Sequence, residues 1–162
     1  GLCGAIVVAI IMQIMYKKLD LTMILNGALG GLVAVTAGPD LYDIYTPILI
    51  GSVGGILVVI GVSFFDKLKI DDPVGALSVH LLNGIWGTVA VGLFASNGDD
   101  ITLLGQLKGI IVVAIFAFVS SYIILYIINK IMPLRAGNDE EMQGLDVEEC
   151  GIEAYPEFKR AF

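Results

Sequence analysis

Charge is scarce in this sequence and histidine is almost missing: Asp, Glu, Lys and Arg make up 15% of the 162 residues, and the single imidazole is His80. With 57% hydrophobic residues and a mean hydropathy of +0.88, the composition excludes an ordinary soluble domain of this size. Cysteine is limited to Cys3 in the first apolar run and Cys150 near the end, which are expected at different membrane levels, so no disulfide framework follows. Basic residues are outnumbered 16 to 9, for a formal charge of −7, which argues against a nucleic-acid partner. There is no HExxH, no phosphate-binding Walker loop, no CxxC and no acid–base pair at helix spacing, so neither an enzyme, a cofactor nor a bound metal is expected. The chain starts at Gly1 rather than Met, with no basic segment ahead of a cleavage site. No signal peptide is therefore expected, and the chain reads as a fragment.

What is present is a series of long apolar runs. Residues 1–16, 21–37, 44–65, 73–95 and 101–132 are each bounded by charge, Gly or Pro. Crossing about 30 Å of hydrocarbon takes roughly 20 helical residues. All but the first of these runs are expected to span, and the first resembles a clipped helix. Their continuous apolarity excludes the alternating ten-residue segments of a membrane β-barrel. The expected fold is therefore an all-α integral membrane protein, a polytopic bundle of about five transmembrane helices over residues 1–134. An acidic tail is expected over 135–162. There Asp139, Glu140, Glu141, Asp146, Glu148, Glu149, Glu153 and Glu157 oppose only Arg135, Lys159 and Arg160.

Loop charges give an orientation, because Lys and Arg are retained on the cytoplasmic side. Lys17 and Lys18 end the first run, Lys67 and Lys69 follow the third, and Lys130 and Arg135 follow the fifth, whereas residues 39–47 and 96–102 carry no basic group. The N-terminus is thus expected outside and the tail in the cytosol. Lys108 is the exception, placed to snorkel toward the outer headgroups. The spacings Gly27 to Gly31, Gly51 to Gly55 and Gly84 to Thr88 suit close helix packing in lipid.

His80 lies in the middle of the fourth run. A lone buried histidine is more often a packing residue, but ionisable groups inside a membrane are costly and mark ion or proton routes. Imidazole suits such a route because one nitrogen donates while the other accepts. Asp71, Asp72 and Pro73 open the same run. Carboxylates there can cap free amides, and Pro fits the first helical position, so a structural cap is expected rather than a direct role in the ion path. Trp86, Phe116, Phe118, Tyr122 and Tyr126 are candidates for either a path lining or lipid-facing packing.

The residues resemble the Amt/Mep/Rh family of ammonium transporters at three places, in order. Leu25-Asn26-Gly27-Ala28-Leu29-Gly30-Gly31 through Gly38 is similar to the family's eighth helix. Lys69-Ile70-Asp71-Asp72-Pro73 through His80, continuing to Gly84-Ile85-Trp86-Gly87-Thr88, is similar to its tenth. Gly144-Leu145-Asp146 with Glu153-Ala154-Tyr155-Pro156 resembles its cytosolic C-terminal region. The resemblance implies the seventh to eleventh helices of an eleven-helix protomer, a homotrimer in the cell membrane, and ammonium or ammonia as substrate. It implies that His80 is the second of two pore histidines and that Thr36 lies close to the pore. It also implies a regulatory tail coupled to a PII-type signalling protein. The alternative is a non-conducting membrane subunit or an ammonium sensor. After His80 this chain reads Leu81-Leu82-Asn83, where the family more often has small residues, so altered packing beside the pore is expected.

Overall fold

A computed structural model describes residues 1–95, 101–154 and 156. The apolar runs fold as helices α1 (Leu2–Tyr16), α2 (Leu21–Val35), α3 (Thr46–Lys67), α4 (Leu82–Phe94) and α5 (Leu103–Ile131). A π-helical turn, Ala76–Leu81, leads directly into α4. Two short helices follow in the tail, α6 (Asn138–Gln143) and α7 (Leu145–Cys150). Among the described residues three helical stretches are long and apolar enough to cross a membrane: Thr46–Lys67, Ala76–Phe94 and Leu103–Ile131.

Two boundaries differ from the sequence expectation. The run 21–37 yields a helix of only 15 residues, about 22 Å long at 1.5 Å per residue, too short by itself to cross the hydrocarbon. It stops because the Thr36 hydroxyl and amide both donate to the Val33 carbonyl, at 2.7 and 3.2 Å, and Gly38-Pro39 follow. The acidic tail, given no secondary structure from the sequence, is partly helical. Its helix α6 starts where the Glu140 carboxylate accepts from the Gly137 amide at 2.6 Å.

Residues Gly1–Ala114 and Ile115–Phe162 form two compact units. In the first, the helix backbones meet at glycines. A Cβ on Gly4 of α1 would collide with the Gly27 carbonyl of α2, one on Gly55 of α3 would lie 2.5 Å from the Gly4 carbonyl oxygen, and one on Gly31 of α2 would lie 3.2 Å from that of Gly51 in α3. Helix α4 joins through Gly87, where a Cβ would strike the Ala34 carbonyl of α2. The expected pair Gly84 and Thr88 does not form such a contact among the described residues, since a Cβ on Gly84 would meet nothing within 4 Å. The close approach has moved three residues along, to the face that also carries the buried Ala90 and Val91.

Side chains fill what the glycines leave. Val8, Met12 and Val59 form one buried cluster, flanked by Ile11, Met23 and Ile24. Ala34, Ile50 and Ala90 form a second, flanked by Val35, Tyr42, Trp86 and Phe94. Trp86 ties α4 to α3 by donating its indole N–H to the Ile50 carbonyl at 3.1 Å.

In the second unit Arg135 reaches the Glu141 carboxylate with two donors, Nε at 3.0 Å and a terminal nitrogen at 3.3 Å. The Asp146 carboxylate accepts from the Ala154 amide at 2.8 Å, folding the segment after α7 back toward its start. Gly151 ends α7 with φ of 66°, the left-handed conformation that favours glycine.

The glycine contacts are testable in pairs. Gly87→Ala puts a methyl against backbone and is expected to cost about 1–3 kcal/mol, as overpacking does. Gly51→Ala places its Cβ 3.7 Å from its nearest neighbour, the Gly31 carbonyl oxygen, and is expected to be tolerated. Thermal unfolding of the two variants in detergent checks the difference.

Candidate functional site

The segment 71–83 brings Asp72, Ser78, His80 and Asn83 into one stretch of chain. Chain direction is set at Gly75, whose φ of 72° is left-handed, a conformation an L side chain rarely adopts. Its carbonyl then accepts two amides, from Val79 at 2.9 Å and from His80 at 3.1 Å. The second bond, five residues on, makes the turn π-helical, a geometry frequent at functional sites.

Asp72 holds the front of this turn. Its carboxylate accepts from the Leu77 amide at 3.0 Å, from the Ser78 amide at 2.9 Å and from the Ser78 hydroxyl at 2.8 Å. The helix consequently begins at Ala76, and Pro73 lies in the turn ahead of it rather than at the first helical position expected from sequence. The reach is to amides five and six residues on, longer than that of an ordinary N-cap. Asp71 is exposed and makes no such bond among the described residues. Desolvation pushes the Asp72 carboxyl up, but the bonds from Ser78 and Leu77 outweigh it and hold the group below its ordinary 3.8.

His80 points away from the packed side. Ser78, Val79 and Asn83 are buried, whereas His80 is exposed, and its ring has no hydrogen-bond partner among the described residues. Gly84 and Thr88 continue the His80 stripe at helical spacing, with the Thr88 hydroxyl donating to the Gly84 carbonyl at 2.9 Å. The face is therefore an imidazole, an open glycine and a self-satisfied hydroxyl, with exposed Leu81 and Ile85 alongside. Thr36 is also exposed, with its hydroxyl spent on Val33, and no hydrogen bond joins it to His80. In the tail, Gly144 and Asp146 are half-buried, and Leu145 and Pro156 are exposed. Tyr155 lies outside the described residues.

One residue that sequence reasoning did not single out as a site is central to this segment. Asn83 is completely buried. Its Nδ2 donates to the Val79 carbonyl at 3.0 Å, and its Oδ1 has no conventional donor. Its signals in the sequence are a polar side chain inside an apolar run, able to bond backbone or a neighbouring helix, and an Asn where a small residue is more usual. Leu82, beside it, packs against Gly61, and Leu81 is exposed, so the bulk at 81 to 83 is accommodated in three different ways.

The sequence profile of the Ammonium Transporter Family matches residues 1–155. The chain belongs to this family. A candidate ammonium transporter of Synechocystis sp. is 43% identical over 135 residues, covering 83% of this chain and 30% of that protein. The ammonium transporter Amt2 of Archaeoglobus fulgidus is 32% identical over 172 residues, covering 96% of this chain and 37% of its own length. Among solved structures, one titled Sensor Amt Protein superimposes with a TM-score of 0.81 at 29% identity, covering 91% of this chain and 38% of that one. The N240A mutant of Candida albicans Mep2 gives 0.79 at 27% identity, covering 95% and 38%. The chain thus spans between about three tenths and two fifths of the length of these relatives. It is an all-helical integral membrane protein of the ammonium transporter family.

The depressed carboxyl of Asp72 carries a pH prediction. A group whose folded pKa lies below its unfolded value contributes stability that is present above that unfolded value and lost as pH falls through the folded one. Asp72→Ala is expected to lose about 1–2 kcal/mol near neutral pH, and the deficit is expected to shrink as the pH is taken below 3.8. Unfolding midpoints of both proteins across that acid range check the sign.

Proposed function

We propose that this chain is the part of an ammonium transporter that supplies one imidazole of a narrow apolar pore, and that His80 is that group. The observation that carries the reading is an ionisable side chain inside an apolar span, exposed on its face and with no hydrogen-bond partner among the described residues. Such a placement is costly in lipid and reasonable where the face meets a pathway or the remainder of the protomer. The relatives named as ammonium transporters favour conduction over a non-conducting subunit.

The chemistry follows from the substrate. Ammonium is close to potassium in size, so discrimination calls for directional acceptors in a dry constriction rather than for charge alone. Stripping water from the cation is expensive, which favours loss of a proton before passage and transit of neutral ammonia. A neutral imidazole serves that step by accepting on one nitrogen while donating from the other. Thr36 is proposed to lie near the same path. Asp72 is proposed to act as a structural cap, with Asp71 and Pro73 shaping the loop before it.

Residues 1–134 are proposed to sit in the membrane with the N-terminus outside, and 135–162 to form a cytosolic regulatory tail. In that tail Gly144, Leu145, Asp146, Tyr155 and Pro156 would meet neighbouring subunits of a homotrimer and a PII-type partner in the cell. Retention of Lys17, Lys18, Lys67, Lys69, Lys130 and Arg135 on one side supports this orientation.

Two measurements test the proposal. His80→Ala in the complete protein is expected to reduce methylammonium uptake, or its discrimination against potassium, by about tenfold or more; unchanged uptake and selectivity would remove His80 from the pore. Cys150 is exposed, so in intact cells a membrane-impermeant maleimide is expected to leave it unlabelled until the membrane is permeabilised. Labelling from outside would reverse the orientation.

A further inference from the structure

We infer that Asn83 is a positioning residue for His80: its carboxamide locks the rear of the π-helical turn that presents the imidazole. The inference rests on the transport reading for its consequence, but not for its geometry.

The direction of the His80 side chain starts from the backbone that carries it. That backbone departs from α-helix. The His80 amide donates five residues back to Gly75, and the Leu82 amide is shared between the carbonyls of Leu77 and Val79. A π-turn places one extra residue in the helix, and inside lipid or protein its displaced carbonyls need donors. At the front, Asp72 supplies the polar contacts to Leu77 and Ser78. At the rear, the Val79 carbonyl, in the peptide that joins Val79 to His80, accepts Asn83 Nδ2 at 3.0 Å in addition to the Leu82 amide.

Asn83 is itself held from two sides. A Cβ on Gly30 of α2 would lie 2.9 Å from Nδ2, and one on Gly54 of α3 would lie 2.9 Å from Oδ1. The carboxamide is therefore seated in a slot that exists because both facing residues are glycine. Its Oδ1, with no N–H or O–H donor among the described residues, faces the Cα–H of Gly54, a weak donor. Burying an amide with one half unsatisfied is unfavourable, and an apolar side chain of this size would avoid that cost. The half that is satisfied is the half that touches the His80 peptide.

The chain contains its own template for a conservative replacement. Ser52, Thr88 and Ser120 each donate a hydroxyl to the carbonyl four residues back, at 2.7, 2.9 and 2.6 Å. Asn83→Ser therefore keeps a donor for Val79, while Asn83→Ala and the near-isosteric Asn83→Leu remove it. The test uses the complete protein, purified and reconstituted, with two readouts. One is methylammonium uptake per folded protein. The other is the rate at which diethyl pyrocarbonate modifies His80, followed by peptide mass spectrometry, which reports the accessibility of the imidazole whether or not the protein transports.

Asn83→Ala and Asn83→Leu are expected to change the His80 modification rate by at least about threefold and to slow uptake about tenfold, the scale of a small misplacement of a reacting group. Asn83→Ser is expected to stay within about twofold on both. Altered His80 modification in a protein whose wild type does not transport would leave the positioning role standing and remove the transport reading. Three outcomes overturn the inference. In the first, Ala and Leu lower the unfolding temperature with His80 reactivity and uptake unchanged. In the second, Ser behaves like Ala. In the third, neither Ala nor Leu yields folded protein, which would make Asn83 a lock of the whole bundle rather than of this turn.

Discussion

Backbone-to-backbone contact at glycine is the constraint on which the first unit depends. Lipid is as apolar as the side chains it would compete with, so helix association in a membrane relies on dispersion contact and a few polar ties, and both grow as the axes approach. Gly4, Gly27, Gly31, Gly55 and Gly87 remove the atoms that would hold α1 to α4 apart. The two small clusters around Val59 and Ile50 fill only the remaining gaps. The Trp86 bond to Ile50 has its reach because the backbones are already close.

The same closeness decides what the polar groups do. Gly30 and Gly54 leave a slot that a carboxamide fills, and through Asn83 the bundle reaches the peptide under His80. Asp72 reaches the same turn from the loop side. A left-handed Gly75 and a π-helical bond set are thus held between one buried amide and one carboxylate. The side chain that carries the proposed chemistry is exposed on the other side. A rigid support with an unencumbered reactive group is the arrangement that positioning of a bound substrate asks for.

Several features were legible without coordinates because they depend on the solvent alone. Runs of apolar residues between charged loops specify helices in a bilayer, and Gly38-Pro39 bounds the second run, although the helix itself ends earlier, at Val35. Other features were not legible. The acidic tail was given no secondary structure, yet Glu140 caps α6 and Arg135 pairs with Glu141, contacts that composition does not rank. The spacing of Gly84 and Thr88 has the form of a packing motif, while Gly87 makes the contact. The π-turn moves the face of α4 by a residue's worth of rotation, and periodicity counted from Pro73 as a regular helix misses that shift.

The linear chain by itself determined the class of environment, the number and order of the apolar runs, the charge asymmetry of the loops and the family. Each is a sum over local residues or a match of motifs in order, and neither needs to know what touches what. The tertiary structure alone decided which glycines are contacts, where the helix after Asp72 begins, and that Asn83 is buried while His80 is not. Those outcomes turn on distances of a few tenths of an ångström between α2, α3 and α4. Such distances are set by three helices packing at once, and no single helix carries them in its own sequence.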